Sequence, residues 1–284
     1  MFSVAQLSDS VKFSPAFQPR PQISHVVFDF DGTLSWLRHG WPEIMVGLFQ
    51  RHVRALPGES PVQLHELLLS DILSLNGQPS IHQMRRCAER AGERNGLTPN
   101  PELLLQEYQK RLDTKIQERT AVVLNRPSRR DAFVVHGARA LLDHLQARNL
   151  TLILLSGTAE YRVKQEARLL DLERYFGKHI YGGTSNLAQS SKNAVIDRLM
   201  KQEGIEGEHL LSFGDGPVEV QVTVEAGGLA VGVASDEAEN GSGKIASTKA
   251  RHLTAAGAAV LIPDYSEAIA LMEVIMGPPD EKAA

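Results

Sequence analysis

The chain has 284 residues, 42% hydrophobic and 23% charged, with 30 Lys and Arg against 34 Asp and Glu for a formal net charge of -4. Such a chain is long enough for one large domain or for a core with a smaller satellite, and its acidic balance argues against a nucleic-acid binder built on phosphate contacts. A single cysteine, Cys87, excludes an internal disulfide framework and a cysteine zinc cage.

Residues 1–22 hold no apolar stretch of signal-peptide length, and no window approaches about 18 uninterrupted apolar residues. They are expected to form a loose arm, on a cytoplasmic protein with no membrane partner. Residues 26–30 are a short apolar, β-branched run that reads as a buried strand. The run delivers two acids two residues apart, Asp29 and Asp31, which an extended chain projects to one side. Gly32 then lets the chain turn sharply out of the sheet. Two neighbouring acids among apolar residues build a poor core and a good divalent-metal site.

Helical periodicity follows. Pro42 opens a first helix, along which Ile44, Leu48 and His52 alternate with Met45, Phe49 and Val53. Ser60 and Pro61 start a second, with Leu64, Leu67, Leu68 and Ile72 on its apolar face. Ile81, Met84, Ala88 and Ala91 define a third, stopped by Gly92. Asn100 and Pro101 open a fourth, striped by Leu104, Tyr108, Leu112 and Ile116. Four amphipathic helices without an intervening strand predict a separate all-α unit at 38–131, closed by a polar linker at 126–131.

From residue 132 strands and helices alternate. Helices are expected over 137–148, 159–170, 193–202 and 218–226, and strands over 151–155, 180–181, 209–213 and 229–233; a late unit, 249–256 then 259–263, ends in a helix over 266–275. This order implies an α/β fold, a mostly parallel sheet with both faces covered. The core is then discontinuous, 23–37 with 132–284, and the helices are an insertion after its first strand.

Ligands of an open parallel sheet gather at the carboxyl ends of its strands. Three ends here are polar in a matching way: Asp29 and Asp31 on the first, Ser156-Gly157-Thr158 after 151–155, and Gly214-Asp215-Gly216 with Glu219 after 209–213. Lys192 opens the helix between the last two. Three or four acids, a hydroxyl and an ammonium on one rim suit a phosphate with Mg²⁺, carboxylates taking the metal and the hydroxyl and lysine the phosphoryl oxygens.

With these residues the chain resembles the haloacid dehalogenase-like superfamily, in its phosphatase branch. Asp29-Phe-Asp-Gly-Thr33 looks like the nucleophile motif, Ser156 like the second-motif hydroxyl, Lys192 like the third-motif lysine, and Gly214-Asp215 with Glu219 like the acidic fourth motif. Where the family often has Lys-Pro, this chain has Lys192-Asn193. The resemblance implies a Rossmann-like core and an aspartyl-phosphate mechanism. Asp29 would be the nucleophile and Asp31 the acid and base. Asp29, the Asp31 carbonyl and Asp215 would hold Mg²⁺, with Glu219 acting directly or through water. Ser156, Lys192 and the amides near Asp31, Gly32 and Gly157 would bind the phosphoryl group. Because dehalogenases and phosphonate hydrolases lack an acid like Asp31, the resemblance points to phosphomonoesters.

The inserted helices resemble the α-helical cap of phosphoglycolate phosphatase and β-phosphoglucomutase relatives. Between residues 36 and 130, fourteen Lys and Arg face ten Asp and Glu, a basic excess that favours anionic substrates. Arg38, His39 and Arg85 are the candidate substrate contacts from this side. The expected activity is Mg²⁺-dependent hydrolysis of a small phosphorylated metabolite, of phosphoglycolate or sugar phosphate type. A phosphomutase and a catalytically silent Mg²⁺ or phosphate-binding module are the alternatives.

Overall fold

The computed structural model describes residues 7–76, 78–184, 191–236 and 238–277. Strands β1 (Lys12–Phe13), β2 (His25–Phe28), β3 (Thr151–Ala159), β4 (Ile180–Gly183), β5 (Leu210–Gly214), β6 (Leu229–Val233) and β7 (Val260–Ile262) form one sheet. Their order is β1-β7-β6-β5-β2-β3-β4, parallel throughout except for the β1–β7 pair. Helices α1 (Trp41–Phe49), α2 (Pro61–Ser74), α3 (Ile81–Asn95) and α4 (Pro101–Asn125) all fall between β2 and β3. Helices α5 (Ala138–Ala147), α6 (Glu160–Leu169), α7 (Glu173–Phe176), α8 (Lys192–Glu203), α9 (Pro217–Glu225), α10 (Ser247–Ala255) and α11 (Ala268–Met276) serve the sheet.

The central strands are apolar on both faces because both faces are covered. Val26, Phe28, Leu154, Leu211 and Phe213 point to one side, where they meet Leu141 of α5 and Leu271 of α11. Val27, Ile153, Leu155 and Leu210 point to the other, against Val195 and Leu199 of α8 and Val222 of α9. Phe28 and Phe213 stack at 5.0 Å across the β2–β5 pair. Each such buried side chain contributes about 1.5–3 kcal/mol, which is what lets this sheet carry charged residues at its rim. The result is an α/β, Rossmann-type architecture. Helices α1–α4 bury a core of their own, around Met45, Leu48, Phe49, Leu68, Ile72, Met84 and Tyr108.

Several local expectations are corrected. The N-terminal stretch is not loose where it is described. Phe13 pairs with Val260, and the amide of Arg20 donates to the Ile275 carbonyl at 2.7 Å; residues 1–6 lie outside the described residues. Helix α1 stops at Phe49, short of His52 and Val53, because the Phe49 carbonyl accepts both of their amides in a tight turn. Gly92 does not stop α3, which runs to Asn95 and is capped by Gly96 in a left-handed conformation. At Gly92 the missing side chain instead makes room for the Thr98 hydroxyl, 2.9 Å from where a Cβ would lie. The polar stretch at 126–131 folds as a 3-10 helix, Pro127–Phe133, with proline at its start. Strand β3 continues past Leu155 to Ala159, with an irregularity in its pairing to β4.

Gly137 has φ +77, and a Cβ there would fall 2.5 Å from the Tyr265 carbonyl carbon. Gly137→Ala is therefore expected to destabilise the protein by about 2–4 kcal/mol. Gly47, inside α1 with open space around it, gives the opposite sign: Gly47→Ala should stabilise by about 0.5–1 kcal/mol. Urea unfolding midpoints of the two variants check both.

Candidate active site

The sheet register sets the site. Phe28 lies level with Leu154 on one neighbour and Phe213 on the other. Asp29 is thus one residue, and Ser156 and Asp215 each two residues, beyond a common line, so all three arrive at one rim. The Asp29 amide donates to the Phe213 carbonyl at 3.0 Å, which carries the pairing one step past β2 before the chain turns. Gly32 takes φ +79 there, and a Cβ on it would sit 2.2 Å from Asp215 Oδ2. The turn that frees the chain from the sheet is also the cradle for the Asp215 carboxylate.

Asp29, Asp215 and Glu219 are all buried, with 7%, 3% and 7% exposure. Burial of that depth costs several kcal/mol per charge unless each is paired. Lys192, first residue of α8, reaches Asp29 Oδ1 at 2.6 Å and also Glu219 Oε1. Lys249, from α10, reaches Asp215 Oδ2 at 3.0 Å and Ser235 Oγ at 3.3 Å. Burial pushes the Asp29 carboxyl well up, Lys192 pulls it down, and the charges of Glu219 and Asp215 push it up again. Burial opposes the Lys192 ammonium, but Asp29 and Glu219 outweigh it and hold the group above its ordinary value.

Asp31 is held differently. Thr158 Oγ1 donates to its Oδ2 at 2.8 Å, and Arg38 Nε lies 3.0 Å from its Oδ1. The guanidinium directs its N–H groups elsewhere, to Glu166 of α6 at 2.5 and 3.3 Å. Asp31 Oδ1 therefore receives charge without a hydrogen bond. Burial raises Glu166 to about 7 against the pull of Arg38, with Asp31 adding to the rise.

The rim opens into a cleft of about 560 Å³ between the sheet ends and the helical unit, into which Asp29, Asp31, Ser156, Gly157, Lys192, Arg38 and Glu219 all face. Asp215 lies behind the rim, where Asn76 of the helical unit donates to its Oδ1 at 3.2 Å. His39 is not part of the cleft: its ring stacks on Trp36 at 4.6 Å, and Nδ1 meets the Trp36 carbonyl at 2.8 Å. Arg85 is exposed on α3 and also stays outside. Arg38 is buried at 8%, not on a solvated face. Cys87 is buried in the helical unit and its thiol is pushed up to about 12, which removes it as a nucleophile.

Sequence reasoning missed Lys249, Glu166 and Asn76, and placed Thr158 at the rim without giving it a role. Thr158 carried a signal, a second hydroxyl two residues beyond Ser156 at the same strand end. The other three come from helices or their ends, where Lys, Glu and Asn are ordinary surface residues.

The oxygen-only donor set fits a hard dication. Asp29 is driven upward first by burial and then by the neighbouring Glu219 and Asp215 charges, and a bound dication would neutralise that excess of carboxylate. Among the described residues no three Asp, Glu, His or Cys side chains form a metal cluster.

A family model described as haloacid dehalogenase-like hydrolase matches residues 23–227. No curated protein matches the chain in sequence. Among solved structures, it is similar to a haloacid dehalogenase-like protein of unknown function from Agrobacterium tumefaciens, with TM-score 0.61 and 15% identity over 89% of this chain and 98% of that one. A haloacid dehalogenase family hydrolase from Deinococcus radiodurans, solved with bound phosphate and sodium, gives TM-score 0.58 and 15% identity over 90% and 97%. A predicted phosphoglycolate phosphatase from Haemophilus somnus gives 0.57 and 15% over 88% and 98%. Among the described residues no helix is long and apolar enough to cross a membrane.

Two measurements check the charge network. Lys249→Met leaves Asp215 without its ammonium partner and is expected to cost about 3–5 kcal/mol in urea unfolding. Glu166 binds its proton more tightly folded than unfolded, so its contribution is full below about pH 4.5 and declines as pH rises towards about 7. Between those limits Glu166→Gln should gain on the wild type by up to about 3 kcal/mol as pH rises; a pH-independent difference would refute the assignment.

Proposed function

The chain belongs to the haloacid dehalogenase-like hydrolase family, and from that premise we propose that it is a Mg²⁺-dependent phosphatase. It hydrolyses a small phosphomonoester, of phosphoglycolate or sugar phosphate type, through an aspartyl-phosphate on Asp29. The observation that carries this reading is the pairing of Asp29 with Lys192 at the floor of a cleft that also presents Asp31 and Ser156. A nucleophile, a fixed cation and a second acid face one space large enough for a substrate.

Asp29 attacks phosphorus through its outward oxygen while Lys192 holds Oδ1 and keeps the carboxylate oriented. Ser156 and the amides beside Gly32 and Gly157 take the phosphoryl oxygens. Asp31 delivers a proton to the leaving oxygen and then takes one from the attacking water. Asp29, the Asp31 carbonyl and Asp215 would hold Mg²⁺, which supplies charge neutralisation when bound. Glu219 secures Lys192. The unit at 38–131 acts as a cap that excludes water from the cleft.

Asp29→Asn is expected to lower the hydrolysis of p-nitrophenyl phosphate by at least about a thousandfold, as loss of a covalent nucleophile does. EDTA should abolish it and added Mg²⁺ restore it. Hydrolysis insensitive to both would sink the proposal, and turnover that needs a bisphosphate activator without releasing phosphate would favour the mutase.

A further inference from the structure

Lys249 is a buried cation at the rim that the hydrolytic steps leave unused. It stands on α10, 3% exposed, with Nζ 3.0 Å from Asp215 Oδ2 and 3.3 Å from Ser235 Oγ. Lys192 lines the cleft, whereas Lys249 and Asp215 both lie behind it. A bound substrate therefore meets Lys192 directly and feels Lys249 only as a charge beyond Asp215.

Asp215 has other means of keeping its place. Asn76 Nδ2 donates to its Oδ1 at 3.2 Å and to its carbonyl at 3.3 Å. Gly32 backs the other oxygen so closely that a Cβ there would fall 2.2 Å from Oδ2. A neutral donor at position 249 would satisfy that oxygen without the cost of burying an ammonium. What Lys249 supplies beyond a hydrogen bond is its charge.

That charge alters the balance of the site. Three buried acids, Asp29, Asp215 and Glu219, face two buried ammonium groups, Lys192 and Lys249. Arg38 is balanced apart from these, by Asp31 and Glu166. Without Lys249 the acids would exceed the ammonium groups by two charges, which a dication matches. With Lys249 the excess is one, so a bound dication leaves the site positive and attractive to a phosphoryl anion.

We propose that Lys249 sets the relative affinity of the site for its two ligands, weakening the dication and strengthening the phosphoryl anion, through Asp215 and without touching either. This rests on the Mg²⁺-dependent reading above and goes beyond it. Lys249 is a positioning residue that acts on ligand affinity, distinct from Lys192 at the reacting atoms.

Calorimetric titration of the wild type and of Lys249→Gln, which keeps a hydrogen-bond donor and removes the charge, tests the assignment. The Kd for Mg²⁺ should fall at least about tenfold in the variant, the scale of one charge a few ångströms from a dication. The Kd for inorganic phosphate, measured with Mg²⁺ saturating, should rise at least about threefold. A residue that merely kept Asp215 in shape would, on removal, weaken both ligands. Loss of both affinities, or no change in either, would overturn the proposal. Urea midpoints give a second measurement: replacing EDTA by Mg²⁺ should raise the midpoint of Lys249→Gln more than that of the wild type, because the tighter-bound ion stabilises more. A variant that stays unfolded with Mg²⁺ present would show that a dication cannot stand in for the ammonium, and would equally overturn it. If neither protein binds Mg²⁺, the metal-dependent reading itself is lost; if both bind it without the opposed shifts, only the role of Lys249 is lost.

Discussion

Buried carboxylates must be paired, and in this protein that requirement ties the outer elements to the sheet. Asp29 and Asp215 sit just past strand ends and Glu219 in the first turn of α9, all three buried where an unpaired charge is intolerable. Their cations come from afar: Lys192 from the start of α8 and Lys249 from α10. Each pair pins a helix to the rim. The same constraint places Arg38, which leaves the loop after β2 to meet Glu166 on α6. Helices whose bodies are held by ordinary apolar packing thus have their register fixed by a charge at the site.

Among the described residues, three sets of polar contacts join the helical unit to this network. Asn76, just past α2, reaches Asp215; Asp113 of α4 meets Arg162 of α6; and Arg119 of α4 donates to the carbonyls of Leu37 and His39. The first and second are polar and partly buried, the kind of contact that can be broken and remade at modest cost. The Arg119 contacts hold the main chain where it crosses from sheet to helices. A unit with its own apolar core, secured to the sheet by few polar bonds, can move as a body without unfolding.

The fold was legible because it is written in local pattern: the helices of the inserted unit and the βα alternation both follow from periodicity, and family membership follows from the motif around Asp29. Rim residues at strand ends were legible for the same reason, since a strand end puts its next two residues in a known place. What escaped has a common cause. Lys249 looks like any helix lysine, and only the packing of α10 beside β6 turns it inward onto Asp215. Glu166 looks like a helix glutamate until Arg38 arrives from a segment 128 residues earlier. His39 failed for the converse reason: sequence shows its neighbour Trp36 but not that the two rings stack and turn the imidazole away. The helix ends misread at Gly92 and Val53 were decided by local geometry, the left-handed Gly96 that ends α3 and the turn in which the Phe49 carbonyl takes the His52 and Val53 amides.

Asp29 and Asp31, two residues apart on one chain, end in unlike surroundings, and that difference is the chemical content of the site. Asp29 lies deep, with an ammonium on one oxygen and acids behind it. Asp31 lies nearer the cleft, with a hydroxyl on Oδ2, a guanidinium beside Oδ1 and more exposure than its neighbour. Where two identical side chains are placed in different environments, the environment assigns their roles. A carboxylate fixed by a buried lysine keeps a free oxygen aimed at one point, as nucleophilic attack requires. A carboxyl nearer the opening can exchange protons with a leaving group or with water. The alternation of a single strand and the turn at Gly32 are enough to create the division, and the pairs with Lys192, Arg38 and Thr158 keep it.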